Sequence, residues 1–179
     1  MQFTELPESP HELVTLRPIV AGDLPAWYGY LSQPVVFEHT SWDVKSHEDL
    51  AHYASDDPPT PSSLLRLAIA LRSTNALVGT AGFHTVSPPH CSAEMAYDLA
   101  PDYWGKGIAT ATCASLVRWA HEHAGVVRVQ ATTLASNARS QRVLQRCGFE
   151  REGLLRSYRV VRGHPGDFWM YAHVASPAR

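Results

Sequence analysis

Short apolar runs dominate the first half of the chain, and helical spacing of apolar positions becomes clear only in its middle. Leu13-Val14-Thr15-Leu16-Arg17-Pro18 is β-prone and stopped by proline, which predicts a first strand. Asp23 opens a predicted helix over residues 24–31 that ends before Pro34. Ser46 with Asp49 three positions later forms a capping arrangement and predicts a second helix over 47–55. Proline content makes 56–63 a loop. Strands are then predicted at 64–71 and 77–83, joined by the hairpin chemistry of Ser73-Thr74-Asn75-Ala76. After Pro88 and Pro89 comes another strand, 93–99, broken by Pro101-Asp102-Tyr103-Trp104-Gly105-Lys106-Gly107.

From 108 to 124 apolar positions recur at helical spacing, with Ile108, Thr112, Leu116, Trp119 and Ala120 on one face and Gly125 at the C-terminal cap. A β run at 126–133 leads into a helix at 138–147, capped by Ser136 or Asn137 and closed by Gly148. Strand pieces follow near 154–161 and 167–174, separated by Arg162-Gly163-His164-Pro165-Gly166. The order predicts an α/β (α+β) fold with a mainly antiparallel start and one strand, helix, strand crossover. No internal repeat is evident.

At 179 residues the chain is expected to form one domain, 1–179, with its core over about 13–174. Hydrophobic residues make 45% and charged residues 18%, which excludes disordered, collagenous and coiled-coil classes. A net charge of −2 argues against nucleic acid as a partner. That average hides a split. Residues 1–60 carry ten acids against Arg17 and Lys45, a formal −8, and the remainder carries +6. Thirteen of the fifteen bases are Arg, the better side chain for bidentate contact with phosphate, so the second half points to an anionic ligand. Cys91, Cys113 and Cys147 form no C-x-x-C pair and are odd in number, which fits a reducing compartment. No signal peptide is visible and no stretch reaches 18 apolar residues, so a soluble, cytoplasmic protein without a membrane partner is expected. His121 and His123 are two apart and His47 and His52 five apart, neither of which places two ligands on one helical face; no metal is expected.

The most informative segment is Trp104-Gly105-Lys106-Gly107-Ile108-Ala109-Thr110. It joins a strand to a long helix through two glycines. There the first helical amides have no intrahelical partner and, with the helix dipole, attract an anion such as pyrophosphate. No G-x-x-x-x-G-K-[ST] string exists, which removes the Walker loop. A dinucleotide fingerprint fails too, because Thr110 stands where a third small residue is needed and Arg128 and Gln130 where an acid is needed.

Five ordered strings together resemble the GNAT superfamily of acetyl-CoA-dependent N-acetyltransferases, in its RimJ/RimL-like branch of ribosomal-protein N-terminal acetyltransferases. They are Leu16-Arg17-Pro18, Ala93-Glu94-Met95-Ala96-Tyr97, the segment from Trp104 to Thr110, Asn137-Ala138-Arg139-Ser140, and Gly148-Phe149 followed by Glu152-Gly153-Leu154-Leu155-Arg156. They span residues 13–173, nearly the whole chain. Trp104 stands where the general superfamily pattern has Gln or Arg, while Gly107 and Ala109 match it. The resemblance implies a splayed central sheet of about six to seven strands with about four helices, in which the strands at 93–99 and 126–133 part to admit the pantetheine arm. It implies that Gly105, Lys106, Gly107, Ile108, Ala109 and Thr110, with Trp104, hold the pyrophosphate.

Acyl transfer from a thioester to an amine needs an uncharged amine, a stabilised oxyanion and a neutralised thiolate. An α-amine, with a pKa of about 8 against about 10.4 for lysine, needs only modest help from a base. The resemblance implies Glu94 for that base, directly or through water, and the strand at Met95, Ala96 and Tyr97 for the oxyanion donor. It implies Ser140 as the acid for the leaving group, with Asn137 and Arg139 beside the cofactor. The acidic first half is expected to border the acceptor, through Asp43, Glu48 and Asp49, and the aromatics Trp27, Tyr28, Tyr30, Phe37 and Trp42 to line its wall in part. Three readings stay open on the residues alone: acetylation of a protein N-terminal α-amine, acetylation of a small cationic amine, and a non-catalytic CoA-binding module. Relatives of this branch are often homodimers.

Overall fold

The computed structural model describes residues 6–54 and 65–175. Seven strands form one sheet in the order β1-β2-β3-β4-β5-β7-β6. They are β1 (Val14–Pro18), β2 (Leu65–Leu71), β3 (Leu77–Ser87), β4 (Ser92–Leu99), β5 (Arg128–Leu134), β6 (Glu150–Val161) and β7 (His164–Val174). Helices α1 (Leu24–Leu31) and α2 (Pro34–Phe37) follow β1, α3 (Ile108–His123) connects β4 to β5, and α4 (Ala138–Arg146) connects β5 to β6. All neighbouring strands are antiparallel except β4 and β5. A parallel pair requires a crossover, and α3 is that crossover. The expected mixed sheet with its single crossover is therefore present, while the loop expected at 56–63 lies outside the described residues.

Side-chain alternation divides the core between the two faces of the sheet. On β2, Leu67 and Ile69 join the cluster that contains Leu116, Trp119 and Ala120 of α3. Ala68, between them, joins the opposite cluster with Trp27, Leu31 and Val36 of α1 and α2. Ile108 and Leu116 are fully buried, and each such side chain contributes roughly 2 kcal/mol of transfer free energy. The stripe that predicted α3 is thus the face it buries.

Three local outcomes differ from the expectation. Residues 47–53 form a 3-10 helix, stopped short of 55, but the capping is as expected: the Asp49 carboxylate accepts from the amides of Lys45 (2.8 Å) and Ser46 (3.2 Å). Pro34 begins α2 rather than only ending α1, since a proline's fixed φ and missing N–H suit a first helical turn as well as a break. The break expected at 162–166 is only two residues wide. Arg162 and Gly163 both take positive φ (50° and 81°), a tight hairpin turn that lets β6 and β7 pair up to Val161 and His164. Pro165 is tolerated in β7 because β5 pairs only with Phe168–Val174, leaving the strand unpartnered on one side there.

Candidate active site

β4 and β5 pair only at Ser92 with Arg128, Ala93 with Val129 and Glu94 with Gln130. Beyond that point β4 continues to Leu99 and β5 to Leu134, each held by its other neighbour, β3 and β7 respectively, but not by the other. The sheet opens between the two strands expected to part. A cavity of about 610 Å³ occupies the opening, bordered by Met95, Ala96, Tyr97, Asp98 and Leu99 on one side and Ala131, Thr132, Thr133 and Leu134 on the other. Backbone groups of β4 on this edge have no strand partner, so they are available to an extended ligand.

The same cavity is bordered by the N-terminus of α3. Gly105 and Gly107 take φ of 76° and 83°, a left-handed conformation that L side chains adopt only with strain. Gly107 is the N-cap, and no side chain caps the helix. The first-turn amides of Ile108, Ala109 and Thr110 are therefore left for an external anion. Trp104, Gly105, Gly107, Ile108, Ala109 and Thr110 all line the cavity. Lys106 does not: its ammonium lies 4.9 Å over the Tyr103 ring, and its carbonyl accepts from His11 Nε2 at 2.9 Å. The Trp104 indole donates to the Leu99 carbonyl (2.7 Å), and the Arg139 guanidinium stacks on it at 4.5 Å. Arg142 and Arg146 also line the cavity, from α4. Sequence reasoning missed this pair, although their spacing with Arg139, three and four residues apart, puts all three on one helical face.

Asn137, not Ser136, caps α4: its Oδ1 accepts from the Ser140 amide at 3.0 Å. Its Nδ2 reaches across to the His39 carbonyl, 3.2 Å away. Arg162, in the β6–β7 turn, donates to the carbonyls of Phe37, Glu38 and Thr40, so residues 37–40 are fastened to the second half of the sheet by two side chains. Ser140 Oγ lies 2.8 Å from the Tyr97 hydroxyl, which also donates to the Ser140 carbonyl at 3.1 Å. With its proton on that carbonyl, the phenol accepts from the Ser140 hydroxyl. Burial pushes the Tyr97 phenol well above its ordinary range, so it stays neutral.

Glu94 sits at the last paired position before the strands part and is only 6% exposed. Burial alone raises a carboxyl's pKa, yet Glu94 is held at about 2, because the donors around it outweigh desolvation. His84 Nε2 lies 3.3 Å from Oε1, Thr132 Oγ1 donates at 2.9 Å and Arg159 Nη2 at 3.1 Å to the same oxygen, and Gln130 Nε2 donates to Oε2 at 3.4 Å. His84, Thr132 and Arg159 line the cavity.

The remaining wall comes from the first half of the chain. Trp42 and Tyr53 stack with centroids 6.0 Å apart, and the buried Arg66 guanidinium lies 5.1 Å over Trp42 and 5.9 Å over Trp27. Arg66 donates to Thr80 Oγ1 (2.8 Å) and pairs with Asp98, which also accepts from Tyr30 and Thr80. Here the expectation drawn from charge is corrected. Asp43, Glu48 and Asp49 do not border the cavity; Asp43 pairs with Lys45 on the surface, Asp49 caps the 3-10 helix and Glu48 is exposed. The negative half of the sequence sends most of its aromatics inward and these three carboxylates to water, because only the former gain from leaving it. Of the expected aromatics, Trp42 lines the cavity and Trp27, Tyr28, Tyr30 and Phe37 do not.

A parallel strand pair that separates around a cavity, beside an uncapped helix N-terminus on two left-handed glycines, defines a protein built to seat an extended anionic group within a sheet. Comparison with known families makes the class specific. Residues 14–150 match the acetyltransferase (GNAT) domain model, and the chain belongs to the GNAT family of acetyltransferases. Among curated proteins it is 34% identical over 110 residues to the uncharacterized N-acetyltransferase YoaA of Bacillus subtilis, a match spanning 62% of each chain. It is 28% identical over 165 residues to the uncharacterized N-acetyltransferase p20 of Bacillus licheniformis, covering 90% of this chain and 92% of that one. A more distant relative is the [ribosomal protein uS5]-alanine N-acetyltransferase of Escherichia coli, 26% identical over 51% of this chain and 47% of that one. The fold matches a GNAT acetyltransferase from Bacillus anthracis (TM-score 0.79, 23% identity, 93% and 98% coverage). It also matches the ribosomal L7/L12 α-N-protein acetyltransferase RimL in complex with coenzyme A (TM-score 0.78, 19% identity, 92% and 95% coverage).

Proposed function

We propose that the protein moves acetyl from acetyl-CoA to the N-terminal α-amine of a peptide or protein, by direct attack in a ternary complex. The observation that carries this reading is the separation of β4 from β5 beyond Glu94 and Gln130, which opens a cavity beside the uncapped α3 N-terminus. The residues present suit the cofactor. The amides of Ile108, Ala109 and Thr110 with Gly105 and Gly107 would hold the pyrophosphate, Arg139, Arg142 and Arg146 would add charge, and Asn137 would meet the pantetheine arm. Acetyl-CoA supplies the activated thioester. A free backbone amide of β4, around Met95 to Tyr97, would face its carbonyl oxygen, where a preorganised donor helps most. Ser140, in contact with Tyr97, would stand by the departing sulfur, and Glu94 would support removal of the amine's proton.

The cavity's charges favour a peptide over a polyamine. Among the described residues its lining includes one carboxylate, Asp98, already bound by Arg66, Tyr30 and Thr80. A polycation needs free acids there. Arg66 Nη1 and His39 Nδ1 are instead buried without partners, and Arg66 Nη1 suits a peptide carbonyl oxygen. The name of the uS5-alanine N-acetyltransferase relative supports the same class of acceptor. The reading places the enzyme in the cytoplasm and includes a homodimer, to be tested by light scattering. The deciding assay follows thiol release from acetyl-CoA with alanyl peptides and with spermidine, alongside calorimetric titration of CoA. Turnover of peptides with kcat/KM at least tenfold above that for spermidine is expected. The reverse preference would overturn the acceptor, CoA binding without turnover on either would favour a non-catalytic module, and no CoA binding would overturn the reading whole.

A further inference from the structure

The geometry points to His84 as the group that takes the proton from the acceptor ammonium, with Glu94 as the residue that positions it. This rests on the acetyltransferase reading above. Along β3, Phe83 pairs with Met95 and Thr85 with Glu94, so His84 has no partner on β4: it is the extra residue of a bulge. Bulges re-aim side chains and recur beside active sites. This one lies where β4 loses contact with β5, and it delivers an imidazole to the cavity lining.

The groups facing the ring select its tautomer. Nε2 faces Glu94 Oε1 at 3.3 Å, and an ionised carboxylate can only accept, so Nε2 carries the hydrogen. Nδ1 is then the basic nitrogen. It faces Thr85 Oγ1 at 3.1 Å on the exposed side of the ring, where the hydroxyl donates and can rotate away when a stronger donor arrives. Glu94 itself is a poor proton acceptor: His84 faces it, Thr132, Gln130 and Arg159 donate to it, and together His84, Thr132 and Arg159 hold its carboxyl at about 2. The charged groups around the imidazole are therefore Glu94 from β4 and, across that carboxylate, Arg159 from β6. Buried and ionised, Glu94 stands against Nε2 and orients the ring so that Nδ1 can take the proton, the logic of a carboxylate behind a histidine base.

The proton count closes. One ammonium proton passes to His84 Nδ1 and on to water, leaving a neutral amine whose lone pair forms the N–C bond. As the C–S bond breaks, its electron pair leaves with sulfur, and the second proton lost from nitrogen ends on the thiol.

The test uses the full chain with acetyl-CoA and an alanyl peptide. His84→Gln should lower kcat/KM at least 100-fold and leave the CoA Kd within twofold. His84→Ala should be partly rescued by added imidazole. Glu94→Gln should lower kcat at least tenfold with the peptide KM and the CoA Kd within twofold, as the imidazole loses the carboxylate that positions it. Full activity in His84→Gln would overturn the proposal while leaving the acetyltransferase reading intact. Absence of turnover by the unaltered protein on every amine would overturn the reading instead. Nitrogen-15 NMR of the protein alone tests the arrangement independently of turnover: a neutral His84 protonated on Nδ1 would refute the Glu94–His84 pairing.

Discussion

Glu94→Gln keeps the shape of a side chain while removing a charge, and its effect on stability should depend on pH in a way the surroundings of that carboxylate dictate. In the folded protein the group is held at about 2 against an ordinary 4.5. Between those values the unfolded chain binds the proton and the folded one does not. The stabilising contribution is therefore complete above about pH 4.5 and disappears as pH falls through about 2. At 1.36 kcal/mol per tenfold change in acidity, its size is roughly 3 kcal/mol, of which about 2 kcal/mol is gone by pH 3. The side chain is almost fully buried, so little of this is lost to solvent screening. Urea unfolding followed by tryptophan fluorescence at pH 5, 4 and 3 should give a gap between the unaltered protein and Glu94→Gln that is widest at pH 5 and narrows toward pH 3. Comparing the two proteins cancels the titration of every other carboxylate. A gap that is constant with pH, or that widens in acid, would show that the donors around Glu94 do not hold its charge.

Asp98→Asn should destabilise the fold by about 3–5 kcal/mol, because it leaves the buried Arg66 guanidinium without its countercharge; chemical denaturation at pH 7 measures this. At Gly79 an added Cβ would lie 2.6 Å from the Asp98 carbonyl oxygen and 2.7 Å from Leu99 Cδ1, so Gly79→Ala should cost about 1–3 kcal/mol. Gly29→Ala, whose Cβ meets nothing on α1, should be neutral or stabilising by up to about 1 kcal/mol in the same denaturation assay. Gly107→Ala should strain the left-handed N-cap by about 1–2 kcal/mol and weaken CoA binding in calorimetry more than tenfold, whereas an unchanged Kd would remove this turn from the cofactor site.

How far the site was legible depended on whether its residues are neighbours in the chain. The Trp104 to Thr110 turn, the Asn137 cap and Ser140 are local features, readable from glycine spacing, cap chemistry and a familiar string, and all but Lys106 border the cavity. His84, Arg66 and Arg159 carried no such signal. A bulge residue, a buried arginine between two tryptophans and a basic position on a long edge strand look ordinary in sequence. The charge split misled for a related reason: net charge counts residues, and exposure decides which of them a ligand meets.

The order of strands and helices, the crossover between β4 and β5 and the glycine turn that opens α3 followed from periodicity, proline and glycine placement, since these are set by backbone geometry over a few residues. Tertiary structure alone decided where the parallel strands let go of each other, which side chain the β3 bulge turned toward the opening, and that Glu94 stands behind a histidine. Those outcomes depend on register between strands distant in sequence, and a one-residue difference in register changes which face a side chain occupies.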